Sequence, residues 1–154
     1  MKDLFIDNNI AKNFANPVDS NYIELINWLT HYEKGSPDNA FLVVSNKLLK
    51  EYLDSLRNCS KPNSMPVIIA KLTREGRLNK FDNNLINVFQ KEHFTKTIKK
   101  KLLSNEKDHP HLAIVLMSVR KYALTIDHNF YRDLANFTGF NVVVKKKPEN
   151  LNYR

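Results

Sequence analysis

The chain has 154 residues and a mass of 18.0 kDa, the size of one domain with its own core. Its 24 Lys and Arg against 16 Asp and Glu give a net charge of +8, which favours a polyanionic partner, nucleic acid ahead of membrane. One cysteine, Cys59, excludes an internal disulfide framework, and three glycines without a GxGxxG or GxxxxGK[ST] motif exclude dinucleotide and P-loop sites. No apolar run approaches a membrane span and the N-terminus lacks a signal-peptide pattern, so we expect a cytoplasmic protein without a membrane partner.

The first half of the chain alternates short apolar runs with segments of helical periodicity. The predicted elements are, in order, a strand at 4–6, a helix at 22–29, a strand at 41–44, a helix at 48–56 and a helix at 67–72. Ser45 follows the second strand directly and is placed to cap the helix after it. Pro and Gly residues between these segments predict the turns.

The second half begins with the least periodic stretch, residues 74–107. It predicts one helix near 85–89 and a basic segment at 94–103 that is either a helix or an exposed loop. After it follow a helix at 110–119, a strand at 123–126, a helix at 129–137 and a strand at 140–144. Residues 145–154 are expected to form a basic, loosely held C-terminal tail.

Strands that alternate with helices are typical of a parallel sheet covered on both faces. We therefore predict an α/β fold, a three-layer α/β/α sandwich around a mostly parallel central sheet of four or five strands. No internal repeat and no linker divides the sequence, so residues 1–144 are expected to form a single domain.

Acidic residues stand where two of the predicted strands end, at Asp7 and Asp127. In open parallel sheets, ligands bind beyond the carboxyl ends of the strands. Asp108 precedes the helix that leads into the Asp127 strand, and Glu51 lies about two turns into the helix after the second strand. These placements allow four carboxylates to converge at one edge of the sheet, although each acid taken alone is more often a turn or helix-cap residue.

Four facing carboxylates raise one another's pKa unless a cation neutralises them. Mg²⁺ and Mn²⁺ prefer such oxygen ligands, and they activate water and orient a phosphodiester for attack. Basic residues elsewhere on the chain would hold the backbone phosphates. An acidic pocket on a basic chain therefore favours a metal-dependent nuclease, and nothing in the sequence distinguishes RNA from DNA.

The same residues resemble the PIN-domain family of ribonucleases. Phe5–Ile10 resembles the family's opening strand and aspartate, and Val43–Tyr52 resembles its second strand, serine and glutamate-bearing helix. Asp108–Phe130 resembles the third block, and it is the most specific because the acid, the apolar helix and a Thr-x-Asp-x-x-Phe segment occur in order. The resemblance covers nearly the whole chain except residues 61–107 and the tail.

The resemblance implies a PIN-like domain over residues 1–144 and a Mg²⁺- or Mn²⁺-dependent endoribonuclease that cleaves single-stranded or structured RNA. Many small members resemble VapC toxins, which are kept silent by a partner antitoxin protein and are often homodimers. The acids that match the family's metal-binding and catalytic positions are Asp7, Glu51, Asp108 and Asp127. Asn9 matches the asparagine that supports the first of them, and Ser45 is either the helix cap, which is favoured, or a contact of the metal-bound water.

Two positions depart from the family pattern. Asn8 replaces the usual Thr or Ser after the first aspartate, and Asn129 stands where a further aspartate is common. Loss of that carboxylate weakens a second metal site. It also keeps open a catalytically inactive PIN-like module that binds RNA or protein.

Three histidines and two lysine runs lie near these motifs. We interpret His109, His111 and His128 as solvated loop or first-turn residues, with phosphate contact or proton transfer as the alternative. We interpret the lysine runs at 99–101 and 145–147 as solvated charged surface, with binding to RNA or to an acidic antitoxin segment as the alternative.

Overall fold

The predicted α/β architecture is confirmed by a computed structural model, which describes residues 1–55 and 61–154. Its strands are β1 (Lys2–Ile6), β2 (Ala40–Ser45), β3 (Leu78–Phe81), β4 (Tyr122–Leu124) and β5 (Val143–Lys145). Within the described residues they form one five-stranded sheet in the order β3-β2-β1-β4-β5, and every neighbouring pair is parallel. Cys59 and the end of the helix predicted at 48–56, at Leu56, lie outside the described residues.

The helices connect successive strands, as parallel pairing requires. They are α1 (Asn8–Ala11), α2 (Ser20–Thr30), α3 (Asn46–Ser55), α4 (Met65–Arg74), α5 (Asn83–His93), α6 (Lys96–Lys101), α7 (His109–Met117) and α8 (His128–Ala135), with short 3₁₀ turns at Glu106–Asp108 and Pro148–Asn150. None of the helices in the described part of the chain has the length and apolar character needed to cross a bilayer.

The core lies on both faces of the central strands. Every side chain from Leu4 to Ile6 and from Leu42 to Ser45 is buried, and successive side chains of a strand point to opposite faces. The sheet is therefore covered on both sides. Helix α4 contacts α2 and α3, whereas α7 contacts α5 and α8, and both α2 and α7 contact β2. This is the predicted three-layer arrangement.

Several element boundaries differ from the prediction. Strand β3 falls in the stretch without clear periodicity, because it is an edge strand whose side chains are mostly half-buried. The basic segment at 94–103 contains the short helix α6. Strand β4 ends at Leu124 rather than at Ile126, whose side chain is 52% exposed. The last strand begins at Val143, three residues later than predicted.

The expectation of a loosely held tail at 145–154 is wrong. Leu151 and Tyr153 are buried in the core, and the Tyr153 ring lies 4.8 Å from the ring of Trp28. The guanidinium of Arg120 donates to the carbonyl oxygen of Tyr153 at 2.8 Å. The segment carries two apolar side chains at alternate positions, which its charged neighbours obscured in the sequence.

The strand order places a topological switch point between β1 and β4. From β1 the chain proceeds outward through β2 to β3, and it then returns to the other side of β1 to form β4 and β5. Ile6 pairs with Leu124, and the backbone N–H of Asp7 donates to the carbonyl oxygen of Leu124 at 2.9 Å. Ligands of open α/β sheets bind at such points, beyond the carboxyl ends of the strands.

Candidate active site

A cavity of about 100 Å³ opens beyond the carboxyl ends of β1 and β4. The residues that line it are Asp7, Asn9, Glu51, Asp108, His111, Asp127 and Phe130. The structure thus brings together the four acids singled out in the sequence, and Asn9 with them. Ser45 does not line this cavity. Its buried hydroxyl accepts a hydrogen bond from the backbone N–H of Leu48 at 3.1 Å, so it caps helix α3 as expected.

Asp7 leaves the end of β1 and is held from two sides. Its Oδ2 accepts hydrogen bonds from the amide of Asn9 at 3.1 Å and from the hydroxyl of Thr125 at 2.7 Å. The side-chain oxygen Oδ1 of Asn9 in turn accepts from the backbone N–H of Ile126 at 3.3 Å, so Asn9 links the two strand ends. Burial raises the pKa of Asp7, an effect that the Thr125 hydrogen bond and the charge of His111 oppose.

Asp127 combines a structural contact with its place at the cavity. Its Oδ1 accepts a hydrogen bond from the backbone N–H of Phe130 at 2.9 Å and so caps helix α8. Its own backbone N–H donates to the Thr125 hydroxyl at 3.1 Å. The cap interpretation of this acid is therefore correct, and Oδ2 makes no hydrogen bond to a described residue.

Asp108 stands at the start of α7 without capping it. Its side chain accepts no capping hydrogen bond from the helix, nor a hydrogen bond from any other residue in the described part of the chain. The carboxylate is half-buried and lines the cavity. A turn or cap role therefore does not account for this acid.

Glu51 reaches the cavity from helix α3 and faces a histidine. Its Oε1 and Oε2 lie 3.0 and 2.9 Å from Nε2 of His111. Burial would raise the pKa of Glu51, but the His111 hydrogen bond and charge, with the charges of Lys47 and Lys107, hold it below its ordinary value. Glu51 is thus favoured in its ionised form.

The expectation that His111 is a solvated residue is wrong. Its side chain is buried, because helix α7 is packed into the core over residues 111–116. One signal in the sequence could have found it: His111 follows Asp108 by three residues, and positions three apart share a face of a helix. His109 is also buried, with its ring 5.8 Å from that of Phe94, whereas His128 is exposed as expected.

The donor set has the chemistry that Mg²⁺ or Mn²⁺ prefers, since carboxylate and amide oxygens dominate the cavity wall. The arrangement is not a closed coordination shell. Across residues 1–55 and 61–154, no three His, Cys, Asp or Glu side chains are placed as a metal-binding group. Both oxygens of Glu51 face Nε2 of His111.

Comparisons with known proteins bear on the fold. No protein-family model matches the sequence, and no curated protein does either. Among solved structures, the chain is similar to one in the crystal structure of VapBC2 from Rickettsia felis bound to a DNA fragment from their promoter. The TM-score is 0.56 at 16% identity, and the match covers 93% of this chain and 97% of that chain. The similarity agrees with the PIN-like α/β fold expected from the sequence.

Basic groups flank the acidic cavity. The Lys47 ammonium donates to the carbonyl oxygen of Lys107, which joins helix α3 to the 3₁₀ turn that carries Asp108. The lysines of α6, at positions 96 and 99–101, are exposed. A polyanion bound at the cavity would therefore meet carboxylates at its centre and the charges of Lys47 and Lys107 near Glu51.

Proposed function

We propose that this protein is a Mg²⁺- or Mn²⁺-dependent endoribonuclease that cleaves single-stranded or structured RNA. One observation carries the proposal: four carboxylates line a single small cavity at the topological switch point of a basic α/β domain. Carboxylates are an unfavourable lining for a polyanion unless a cation lies between them and the phosphate. Phosphodiester hydrolysis is the reaction that this pairing of charges supports best.

The bound cation would activate water and neutralise charge on the scissile phosphate. Asp7, Asp108 and Asp127 would hold it. Asn9 and Thr125 fix the orientation of Asp7 through their hydrogen bonds, and the cap contact to Phe130 fixes Asp127. Glu51, kept ionised by its surroundings, is the acid available as a further ligand or as the base that accepts a proton.

The biological role that we propose is that of a toxin acting on RNA in the cytoplasm, kept silent by an antitoxin protein. The similarity to a chain of VapBC2 supports this role. A second copy of the chain is a further partner to test, since toxins of this kind are often dimeric. The choice of RNA over DNA comes from the resemblance to PIN-domain ribonucleases.

The proposal is tested by incubating labelled single-stranded RNA with wild type, Asp7→Asn and Asp127→Asn, each with Mn²⁺ and with a chelator. Because each change removes a carboxylate from the cavity while keeping its shape, we expect cleavage to fall at least about 100-fold. The chelator should abolish wild-type cleavage. Retained cleavage in both variants, with circular dichroism showing intact folds, would refute the mechanism. A parallel reaction with labelled DNA tests the DNA nuclease.

A second candidate is a catalytically inactive PIN-like module that binds RNA or protein. The absence of a closed metal-binding group among the described residues favours it, as does Asn129, which does not line the cavity. Under this alternative the wild type binds RNA with a strong salt dependence and cleaves it with no divalent cation.

A further inference from the structure

We propose that His111 is a positioning residue, which holds the Glu51 carboxylate by a hydrogen bond from Nε2 and separates it from the three aspartates of the cavity. The inference rests on the proposed function. In it, Asp7, Asp108 and Asp127 hold the cation, and Glu51 stays beside the cation as a fixed carboxylate rather than as an inner ligand. Burial and hydrogen bonding account for the different roles of Glu51 and the three aspartates.

The hydrogen-bond donor, His111, is held firmly by its surroundings, whereas the acceptor, Glu51, is less constrained. The His111 side chain is 4% exposed, and that of Glu51 is 35% exposed. The imidazole sits 6.1 Å from the ring of Phe5, which itself stacks on Phe130 at 5.7 Å. Helix α7 therefore presents the ring in one place, and the more exposed glutamate of α3 is oriented by it.

The four acids differ in how their oxygens are used. The Asp108 carboxylate accepts no hydrogen bond in the described part of the chain, and Asp127 uses only Oδ1. Both oxygens of Glu51, in contrast, lie within 3.0 Å of the same nitrogen. Asp7 accepts the hydrogen bonds of Asn9 and Thr125 at a single oxygen, Oδ2. Asp108 and Asp127 thus have oxygens without a hydrogen bond to a described residue, whereas both oxygens of Glu51 have a competing partner.

Turning Glu51 toward a cation would remove the hydrogen bond that His111 makes to it. Its Nδ1 is buried and has no hydrogen-bond partner among the described residues. Removal of Glu51 would leave Nε2 unpaired as well, so that the buried ring would have no polar contact. Because an unpaired buried N–H is rarer than an unpaired acceptor, we assign the proton of the neutral ring to Nε2 and the free lone pair to Nδ1. Glu51 is therefore retained by His111.

Two substitutions at the same position test this role. His111→Gln keeps an N–H donor at about the reach of Nε2, and His111→Leu fills a similar volume with no donor. His111→Leu should lower kcat for RNA cleavage at least about tenfold, since Glu51 is no longer held. In the same variant Mn²⁺ binding, measured by electron paramagnetic resonance, should stay equal or tighten up to about tenfold, because Glu51 becomes free to ligate. His111→Gln should restore kcat to within about threefold of wild type.

His109→Leu is the matched control, because it removes a second buried histidine from the same helix that does not line the cavity. It should leave kcat and Mn²⁺ affinity within about twofold of wild type, with unfolding temperatures measured for every variant. Weaker Mn²⁺ binding in a folded His111→Leu, an unchanged kcat, or a His111→Gln no better than His111→Leu would each overturn the inference.

The hydrogen bond itself is tested without metal or substrate. Long-range ¹H–¹⁵N spectra of the metal-free 154-residue chain should show the proton of His111 on Nε2, and Glu51→Ala should shift that signal. A proton on Nδ1, or no response to Glu51→Ala, would overturn the inference even if the leucine variant fails to fold. If His111→Leu cleaves RNA and binds Mn²⁺ as the wild type does, the inference is overturned and the proposed function stands. A wild type that does neither overturns the proposed function, and the inference with it.

Discussion

The burial of Asp7 has a consequence for stability as well as for chemistry. The native state raises the pKa of this carboxyl above its ordinary value of 3.8, chiefly through burial. The folded chain therefore binds the proton more tightly than the unfolded chain, and stability falls as the pH rises from 3.8 through the raised pKa. At neutral pH the ionised Asp7 carboxylate therefore destabilises the metal-free folded state.

Asp7→Asn should remove this destabilisation while keeping an acceptor for the Thr125 hydroxyl. We expect the melting temperature of the metal-free variant at pH 7 to exceed that of wild type by about 2–4 °C. The gain should disappear below pH 3.8, where the wild-type carboxyl is protonated in both states. Calorimetry from pH 3 to 8 measures it, with the exposed Glu92→Gln as control. Equal melting temperatures at pH 7 would contradict the prediction.

At the scale of residues, the sequence predicted the cavity acids but not the histidine among them. Asp7 and Asp127 follow apolar strands, and strand ends meet at one edge of a parallel sheet, so their proximity follows from topology. The approach of Glu51 to His111 depends instead on where two separate helices, α3 and α7, place side chains that are 60 residues apart in the sequence. The spacing of Asp108 and His111 indicates that this histidine shares a helix face with an acid, but no local pattern identifies Glu51 as its partner.

The strands divide in the same way, into those that the local sequence predicts and those that depend on tertiary contacts. The strands at 4–6 and 41–44 were predictable because they are buried on both faces and read as continuous apolar runs. Strand β3, with the sequence Leu-Asn-Lys-Phe, lies at an edge and buries little, so its pairing with β2 determines its conformation. The C-terminal segment likewise owes its order to tertiary contacts with α2 and Arg120.

The C-terminal segment should contribute measurably to stability. Tyr153→Ala removes a buried ring that packs on Trp28, and we expect it to lower the free energy of unfolding by about 3 kcal/mol. Urea denaturation measures the change. Arg154→Ala, at the next position, removes an exposed ion pair with Glu24 and a guanidinium that lies 5.8 Å from the centre of the Tyr153 ring, and it should cost less than about 1 kcal/mol. Equal stability of the two variants would show that the segment does not belong to the folding unit.

On the scale of the whole molecule, lysines occur toward both ends of the strands, whereas the cavity acids lie at one end. The acids gather beyond the carboxyl ends of the strands, at the switch point between β1 and β4. Helix α6, with its exposed lysines, leads through residues 102–105 into the turn that carries Asp108. Lys2 begins β1 and Lys34 precedes β2, so both lie toward the opposite edge of the sheet. If RNA binds across the acidic cavity, the α6 lysines contact its phosphates and the two distant lysines do not.

Salt dependence measures this difference in an Asp7→Asn background, where we expect cleavage to be suppressed. Each lysine that no longer neutralises a phosphate of single-stranded RNA should reduce the slope of log Kobs against log salt by about 0.7, so Lys99→Gln with Lys100→Gln should reduce it by about 1.4. Lys2→Gln with Lys34→Gln removes the same charge from the opposite edge and should leave the slope nearly unchanged. Fluorescence anisotropy at salt concentrations from about 50 to 200 mM gives both slopes. Equal reductions in the two double variants would mean that only net charge attracts the RNA, and a reduction confined to the α6 pair would place the RNA path on the side of the cavity.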